Sequence, residues 1–391
     1  MLPGEKSLPE TILVPDGTAV NRLFEYLCKQ ADDKILHDQF HMLQEIQSRW
    51  FSVLRSELQC PECGSNELIR KGWRPRRLKS SRGNISLVVL QAKCKVCGRS
   101  FRPLNELIGL PFAVRFTDEL VQKSVELSLQ LPFGKSTAIV KKLTGGTISA
   151  EGLRRKIGQL ADSLSLPKSV TGQTVLVDST KVKAGVKQRG ASVHLAITAE
   201  KGPQKKGRPS IKKRLLHLHV GGVHRLYNAL GVMQPERLVH DGGEDYTAVS
   251  KYSQRCRWHL VHQLKHYLWQ DGVPHDIRGS CQEILRDVLW DNRDGQERLT
   301  AYIKDLEKLG LKTSATHLQG AEKEAFTFKE KGGFSFSTTS PLEREMRELN
   351  RRADVGARWS EKGIENVLKV LFHYRLNKGS TKPIRVTELL R

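Results

Sequence analysis

Two cysteine pairs and two aspartates have the types and spacing that could do chemistry. Cys60-Pro-Glu-Cys63 and Cys94-Lys-Val-Cys97 are Cys-x-x-Cys pairs, each followed by a glycine, Gly64 and Gly98. Two intervening residues let both thiolates reach one ion from a tight turn. The glycine relaxes that turn, and four thiolates complete a tetrahedral structural Zn²⁺ site. The spacing predicts a closed, non-catalytic zinc ribbon, with Ile85–Leu90 as a strand between the pairs. Asp178 ends the apolar run Val175-Leu176-Val177, and Asp241 ends Leu238-Val239-His240 just before Gly242-Gly243. A carboxylate at a strand end, beside glycines that permit close backbone approach, is where a catalytic sheet presents metal ligands. An ordinary turn-forming aspartate fits the same position.

The basic residues suggest a polyanionic partner. The 391 residues carry 65 Lys+Arg against 42 Asp+Glu, a formal net charge of +23. Residues 1–59 hold 6 basic and 9 acidic side chains, whereas residues 60–170 hold 20 and 8, so the excess begins at the first cysteine pair. Within the ribbon, Arg70, Lys71, Arg74, Arg76, Arg77, Lys79 and Arg82 surround Trp73, a strip suited to phosphate contact with some stacking. Arg74, Arg76 and Arg77 are its candidate DNA-binding residues. Further on, Lys206-Gly207-Arg208-Pro209 resembles the core of an AT-hook, with Arg208 entering a minor groove. A disordered basic loop over Lys201–Lys213 making unspecific phosphate contacts is the plainer expectation.

These residues need elements to position them. Residues 17–58 read as helical from Leu23, Phe24, Leu27, Phe40, Leu43, Ile46, Trp50 and Leu54. Three helices are expected over Thr117–Leu131 (stopped by Pro132), Lys135–Leu143, and from a Ser149 cap to about Asp162. A short helix, a Gly145-Gly146 turn and a basic helix suggest a helix-turn-helix, with Arg154, Arg155 and Lys156 placed to contact DNA; a plain helical hairpin fits the same pattern. From residue 173 the period changes. Thr174–Asp178, Ser192–Thr198 and Arg214–Val220 read as an antiparallel meander, followed by a strand Arg237–His240 and a helix from about Tyr246. Residues 275–326 return to a helical pattern, Pro341 opens a helix to about Arg352, and a last amphipathic helix covers Glu361–Arg375. His262 and His266 read as helix-surface residues, and the lone Cys28 and Cys281 as core residues.

At residues 338–352 the sequence runs Thr-Thr-Ser-Pro-Leu-Glu-Arg-Glu-Met-Arg-Glu-Leu-Asn-Arg-Arg. This resembles the third catalytic motif of the bacterial insertion-sequence transposases related to eukaryotic Mutator elements. Leu342-Glu343 matches the hydrophobic-Glu pair and Asn350-Arg351-Arg352 the basic end. Gln254-Arg255-Cys256-Arg257-Trp258-His259 resembles the same family's Cys-x-x-His element. Ser340-Pro341 stand where that family usually has an Asn-containing step, and a leading zinc ribbon is not general in it. The resemblance implies an RNase H-like fold in which Asp178, Asp241 and Glu343 hold Mg²⁺ (or Mn²⁺), with Cys256 and His259 supporting the centre. Sixty-two residues lie between the two aspartates and 101 between Asp241 and Glu343, room for a helical insertion at about 265–335. Rival carboxylates are Glu244 and Asp245, placed in the helix after Asp241, then Glu345 and Glu348, which arginines could engage, and Glu361 and Glu365.

The expected class is therefore α/β. An N-terminal helical region (1–59), a zinc ribbon (60–103) and a helix-turn-helix-like region (104–170) would precede an RNase H-like catalytic domain (171–380). The implied function is a transposase, a homo-oligomer acting on double-stranded DNA in the cytoplasm and associated with the nucleoid. The alternatives are a zinc-ribbon regulator with an inactive RNase H-like domain, or a structure-specific RNase H-like nuclease. No apolar run reaches the length of a membrane span.

Overall fold

The computed structural model describes residues 58–107, 115–167, 169–186, 189–205, 208–291, 293–355 and 357–376, with single positions between 34 and 51. Leu23, Phe24, Leu27, Cys28, Phe40, Leu43, Ile46, Trp50 and Leu54, and the Lys206-Gly207 step, lie outside the described residues. By compactness the chain divides into two units: Met1–Leu120 with Lys141–Thr147, and Val121–Val140 with Ile148–Arg391. It is a mixed α/β protein.

In the first unit the described positions between 34 and 51 are all helical (α1). A three-stranded antiparallel sheet follows, of β1 (Leu68–Ser80), β2 (Gly83–Cys94) and β3 (Ser100–Phe101), with a short helix α2 (Pro103–Leu107). Phe51, Leu68, Leu90, Ala92 and Phe101 form a small core around Cys60 and Cys94. Gln47 ties α1 to the sheet: its amide donates to Val88 O (3.2 Å) and accepts from Leu90 N (3.0 Å), giving two backbone groups of β2 a side-chain partner. All of the basic strip but Arg82 falls on β1, an element the sequence pattern did not reveal. Its bulge at Arg70/Gly72 shifts the register, and from there Arg76, Leu78 and Ser80 turn inward while Arg74, Arg77 and Lys79 stay exposed. Arg76 is thus not presented to a phosphate. It is 7 % exposed and its guanidinium is bonded to Asn105 Oδ1.

Two helices, α3 (Asp118–Ser128) and α4 (Phe133–Thr144), have residues in both units. The first ends at Ser128, short of the expected Leu131. In the second unit, Ser149 Oγ accepts from Gly152 N and caps α5 (Ala150–Ser163), as its sequence predicts. A five-stranded sheet follows, of β4 (Thr174–Ala184), β5 (Arg189–Lys205), β6 (Arg208–Val220), β7 (Arg237–His240) and β8 (Tyr252–Arg255), in the order β6-β5-β4-β7-β8. The meander β4-β5-β6 is antiparallel, whereas β7 and β8 run parallel to β4. Within the stretch expected to be a disordered loop, Lys201–Lys205 belongs to β5 and Arg208–Lys213 to β6. Lys201 pairs with Ile211, Gln204 with Pro209 and Lys205 with Arg208, so a hairpin continues almost to its tip.

Alternation along β4 sorts its side chains. Val175 and Val177 enter a core shared with Leu226 and Leu230 of α6 (His224–Met233). Asp178 therefore turns to the opposite face, where α12 (Ser340–Ala353) packs on β4 and α13 (Glu361–Leu376) on β6. Between β8 and α12 the chain forms α7 (Arg257–Gln270), α8 (His275–Trp290), α9 (Gly295–Lys308), α10 (Lys312–Gln319) and α11 (Thr327–Glu330) around a core of their own. Among the described residues, no helix is long and apolar enough to cross a membrane.

Glu365 fastens α13 to the sheet edge. It is 3 % exposed, forms two hydrogen bonds with Arg225 (2.9 and 3.0 Å), and accepts from Lys369 Nζ (2.7 Å) and Val220 N (3.1 Å). Burial alone would raise its pKa, but the bonds from Arg225, Lys369 and Val220 N–H outweigh it and bring Glu365 down to about 2. A depressed carboxylate contributes stability that is complete above its unfolded pKa of about 4.3 and is lost as pH falls toward the folded value. Denaturant melts are therefore expected to show wild-type stability declining between about pH 4.5 and 2 more steeply than that of Glu365→Gln. The variant itself should be less stable at pH 7 by about 3 kcal/mol. Parallel pH profiles would show that this pair carries no such linkage.

Candidate metal centres

The four ribbon cysteines converge. Their sulfurs lie within 4.8 Å of one another, with Cys60–Cys97 at 3.5 Å and Cys63–Cys94 at 3.7 Å. A tetrahedron with zinc–sulfur bonds of about 2.3 Å has an edge of about 3.8 Å. The two knuckles are built alike. Gly64 N donates to Cys60 O and Gly98 N to Cys94 O, and both glycines take left-handed backbone conformations (φ +70° and +74°) that other residues rarely adopt. Backbone N–H groups of Cys97 and Val96 aimed at the Cys94 sulfur hold that thiol down at about 7. The cluster could hold zinc, with Cys60 and Cys94 buried and Cys63 and Cys97 at the surface.

In the second unit, Asp178, His259 and Glu343 each offer a ligand atom, and these atoms lie within 4.8 Å of one another, a group able to hold a metal ion. Asp178 sits inside β4 rather than at its end, because pairing with β5 continues to Ala184. It is 5 % exposed, and Ser179 N donates to its Oδ1 (2.8 Å). Burial, then the charge of Asp241, pushes its pKa up to about 8, with Glu343 adding to the rise. Glu343 comes from the first turn of α12, which Pro341 helps to open, and its side chain is 36 % exposed. His259 Nε2 is 3.8 Å from Glu343 Oε1.

Asp241 stands outside that 4.8 Å group, though its charge acts on both Asp178 and His259. It follows β7 directly and accepts from Gly243 N (3.1 Å). The helix expected from Tyr246 is replaced by bends and a turn, with Tyr246 buried under the sheet, so Glu244 and Asp245 lie in a loop. Gly242 is required twice. Its φ is +88°, and an added Cβ would fall 1.3 Å from Arg255 Cζ. Arg255 is thereby laid against the backbone next to Asp241, a basic neighbour that strand and helix patterns did not single out.

Cys256 and His259 share one partner. Thr339 N and Oγ1 reach Cys256 Sγ (3.2 and 3.4 Å), and Thr339 Oγ1 is 3.2 Å from His259 Nδ1. Thr339 is fully buried, and its only sequence signal is its place in the motif before Glu343. Burial lowers the His259 pKa, favouring the neutral ring.

The rival carboxylates are committed elsewhere or exposed. Glu345 binds Lys213 and Arg375, Glu348 pairs with Arg351, Glu365 holds Arg225, and Glu361 is exposed. Of the other expected DNA contacts, Arg154 and Arg155 are exposed on α5 but share Glu151 (2.7 and 3.9 Å), and Lys156 is half-buried. Arg208 opens β6. Compared with known protein families and with curated proteins, the chain matches none.

The full chain is expected to carry one zinc ion per molecule at the four thiolates, released by a strong chelator with loss of the three-stranded sheet. Cys94→Ser, at a fully buried sulfur, should abolish retention. Zinc assay and thiol titration check this. A native fold with four freely reactive ribbon thiols and no zinc would rule it out.

Proposed function

We propose that the chain is a transposase of the Mutator-like insertion-sequence type, with an RNase H-like catalytic domain that cleaves and transfers DNA strands through Asp178, Asp241 and Glu343. The observation that carries this reading is the convergence of Asp178, Glu343 and His259, drawn from β4, α12 and α7, with Asp241 at the end of the adjacent strand β7. A mixed sheet with carboxylates on neighbouring strands and a helical insertion before the last acid suits it. So do the exposed arginines Arg74 and Arg77 on a ribbon able to bind phosphates.

The oxygens of Asp178 and Glu343 suit a hard divalent cation, Mg²⁺ or Mn²⁺, and in this reading Asp241, whose charge already acts on Asp178, would be the third carboxylate to hold it. When bound, the metal supplies charge neutralisation and Lewis acidity at the scissile phosphate. The chain's own groups do the rest. Thr339 has a single hydroxyl proton. With that proton on Cys256 Sγ, His259 Nδ1–H donates to Thr339 Oγ1, and the Nε2 lone pair is left facing Glu343, able to ligate or to take a proton. Arg255, held beside Asp241 by Gly242, can grip a phosphate oxygen.

A regulator with an inert sheet domain is favoured by one observation, the position of Asp241 outside the 4.8 Å group. The two readings separate on DNA carrying the element ends in Mg²⁺. Asp178→Asn, Asp241→Asn and Glu343→Gln are each expected to lower strand cleavage about a hundredfold or more, while Glu361→Gln cleaves like wild type. Three triad variants with wild-type cleavage would end the proposal. Wild-type protein that binds the ends without nicking them would select the regulator.

A further inference from the structure

Helix α7 has one aliphatic and one aromatic face. One carries Leu260, Leu264 and Leu268 into the core of the helical insertion. The other faces solvent and is aromatic: Trp258 is 42 % and Trp269 55 % exposed, and His262, Lys265 and His266 are exposed between them. The four rings are spaced by four, four and three residues, which places them on one stripe with Lys265 beside it; the stripe runs about 16 Å along the helix. The rings are already arranged in pairs. Trp258 and His262 stack with centroids 4.7 Å apart and planes 12° apart, and His266 and Trp269 stack at 5.7 Å and 28°.

The stripe starts at the acidic centre. Trp258 meets His259 edge to face at 4.9 Å, and His259 Nε2 lies 3.8 Å from Glu343. No carboxylate occurs on α7 itself, so between Glu343 at one end of the stripe and Asp271, the residue that follows the helix, at the other, a phosphate chain running along it meets Lys265. A duplex hides its base faces and presents phosphates, for which one lysine is a poor match. Unpaired bases present flat faces that stack on tryptophan and imidazole whatever their identity. The polar histidines between the tryptophans suit a wet, stacked ligand better than the apolar surface of a protein partner.

We propose that this stripe is a stacking platform for unpaired nucleotides of the DNA strand entering or leaving the acidic centre. The inference rests on the reading of the chain as a DNA-cleaving enzyme. The test uses the full chain in Mg²⁺-free buffer, titrated with a labelled single-stranded oligothymidylate and, separately, with a duplex of equal length. Tryptophan fluorescence should be quenched by the single strand. Trp258→Ala combined with Trp269→Ala should weaken single-strand binding about ten- to a hundredfold, the two Phe substitutions should restore most of it, and duplex affinity should stay near wild type. Unchanged single-strand affinity in the Ala variant, an equal loss on duplex, or tryptophans shielded from acrylamide in the free protein would each overturn the proposal. Failure of the triad reading shows differently, as full cleavage by the carboxylate variants, and leaves the oligothymidylate result to stand or fall by itself.

Discussion

Asp178 is buried beside two other carboxylates, so its ionisation is costly: burial, then the charges of Asp241 and Glu343, hold its pKa up at about 8, and a bound cation would offset that cost. Bringing Glu343 to Asp178 requires that α12 be fixed from behind. Glu345, 4 % exposed, accepts from Lys213 of β6 (2.9 Å) and Arg375 of α13 (3.2 Å), and Lys213 also reaches Pro341 O (2.6 Å). Residues two apart on a helix do not share a face, so Glu345 can be clamped while Glu343 is turned to Asp178. At the far end, buried Arg352 donates to Ser128 O and Leu131 O and lies over Trp359 (4.7 Å). The helix is pinned at both ends, and its first turn has little freedom to retreat from the acidic centre.

What was legible in the sequence was mostly local. The two cysteine pairs announce their cluster because ligand spacing within a knuckle is fixed by a few bonds and one glycine. The Ser149 cap and the helix opened by Pro341 are equally short-range. Arginine burial is another matter. Arg76 and Arg352 look like surface charges until Asn105 and the carbonyls of Ser128 and Leu131, from distant positions in the chain, supply their partners. Lys201–Lys213 misled for a different reason. Its Gly, Pro and Lys content is that of a loop, yet the register slips between Lys201 and Gln204, absorbing Gly202 and Pro203 while the hairpin stays paired.

Asp178 shows the same limit at the candidate site. Its place at the end of an apolar run looked like a strand terminus, but Thr180, Lys181 and Val182 continue to pair with β5. The apolar run stops where the buried sheet gives way to a more exposed one, not where the strand stops. No local pattern predicts that His259 will meet Asp178 across 80 residues, since that contact depends on where β8 delivers the first turn of α7.

The helical insertion is pinned at its neck. The chain leaves the sheet at β8 through Cys256 and returns at Thr339, and these two residues touch. Arg257 closes the neck further: it donates to Leu289 O (2.8 Å) and Ser337 Oγ (2.6 Å) and lies between the rings of Trp290 and Phe328, each 4.4 Å away. Gln254 bonds Ala325 O and Phe328 N from the strand itself. The two ends of the helical region are thereby fastened to each other beside Glu343 and Asp178. The same neck carries Cys256 and Thr339 to His259, so the group that orients the imidazole is also the one that closes the insertion.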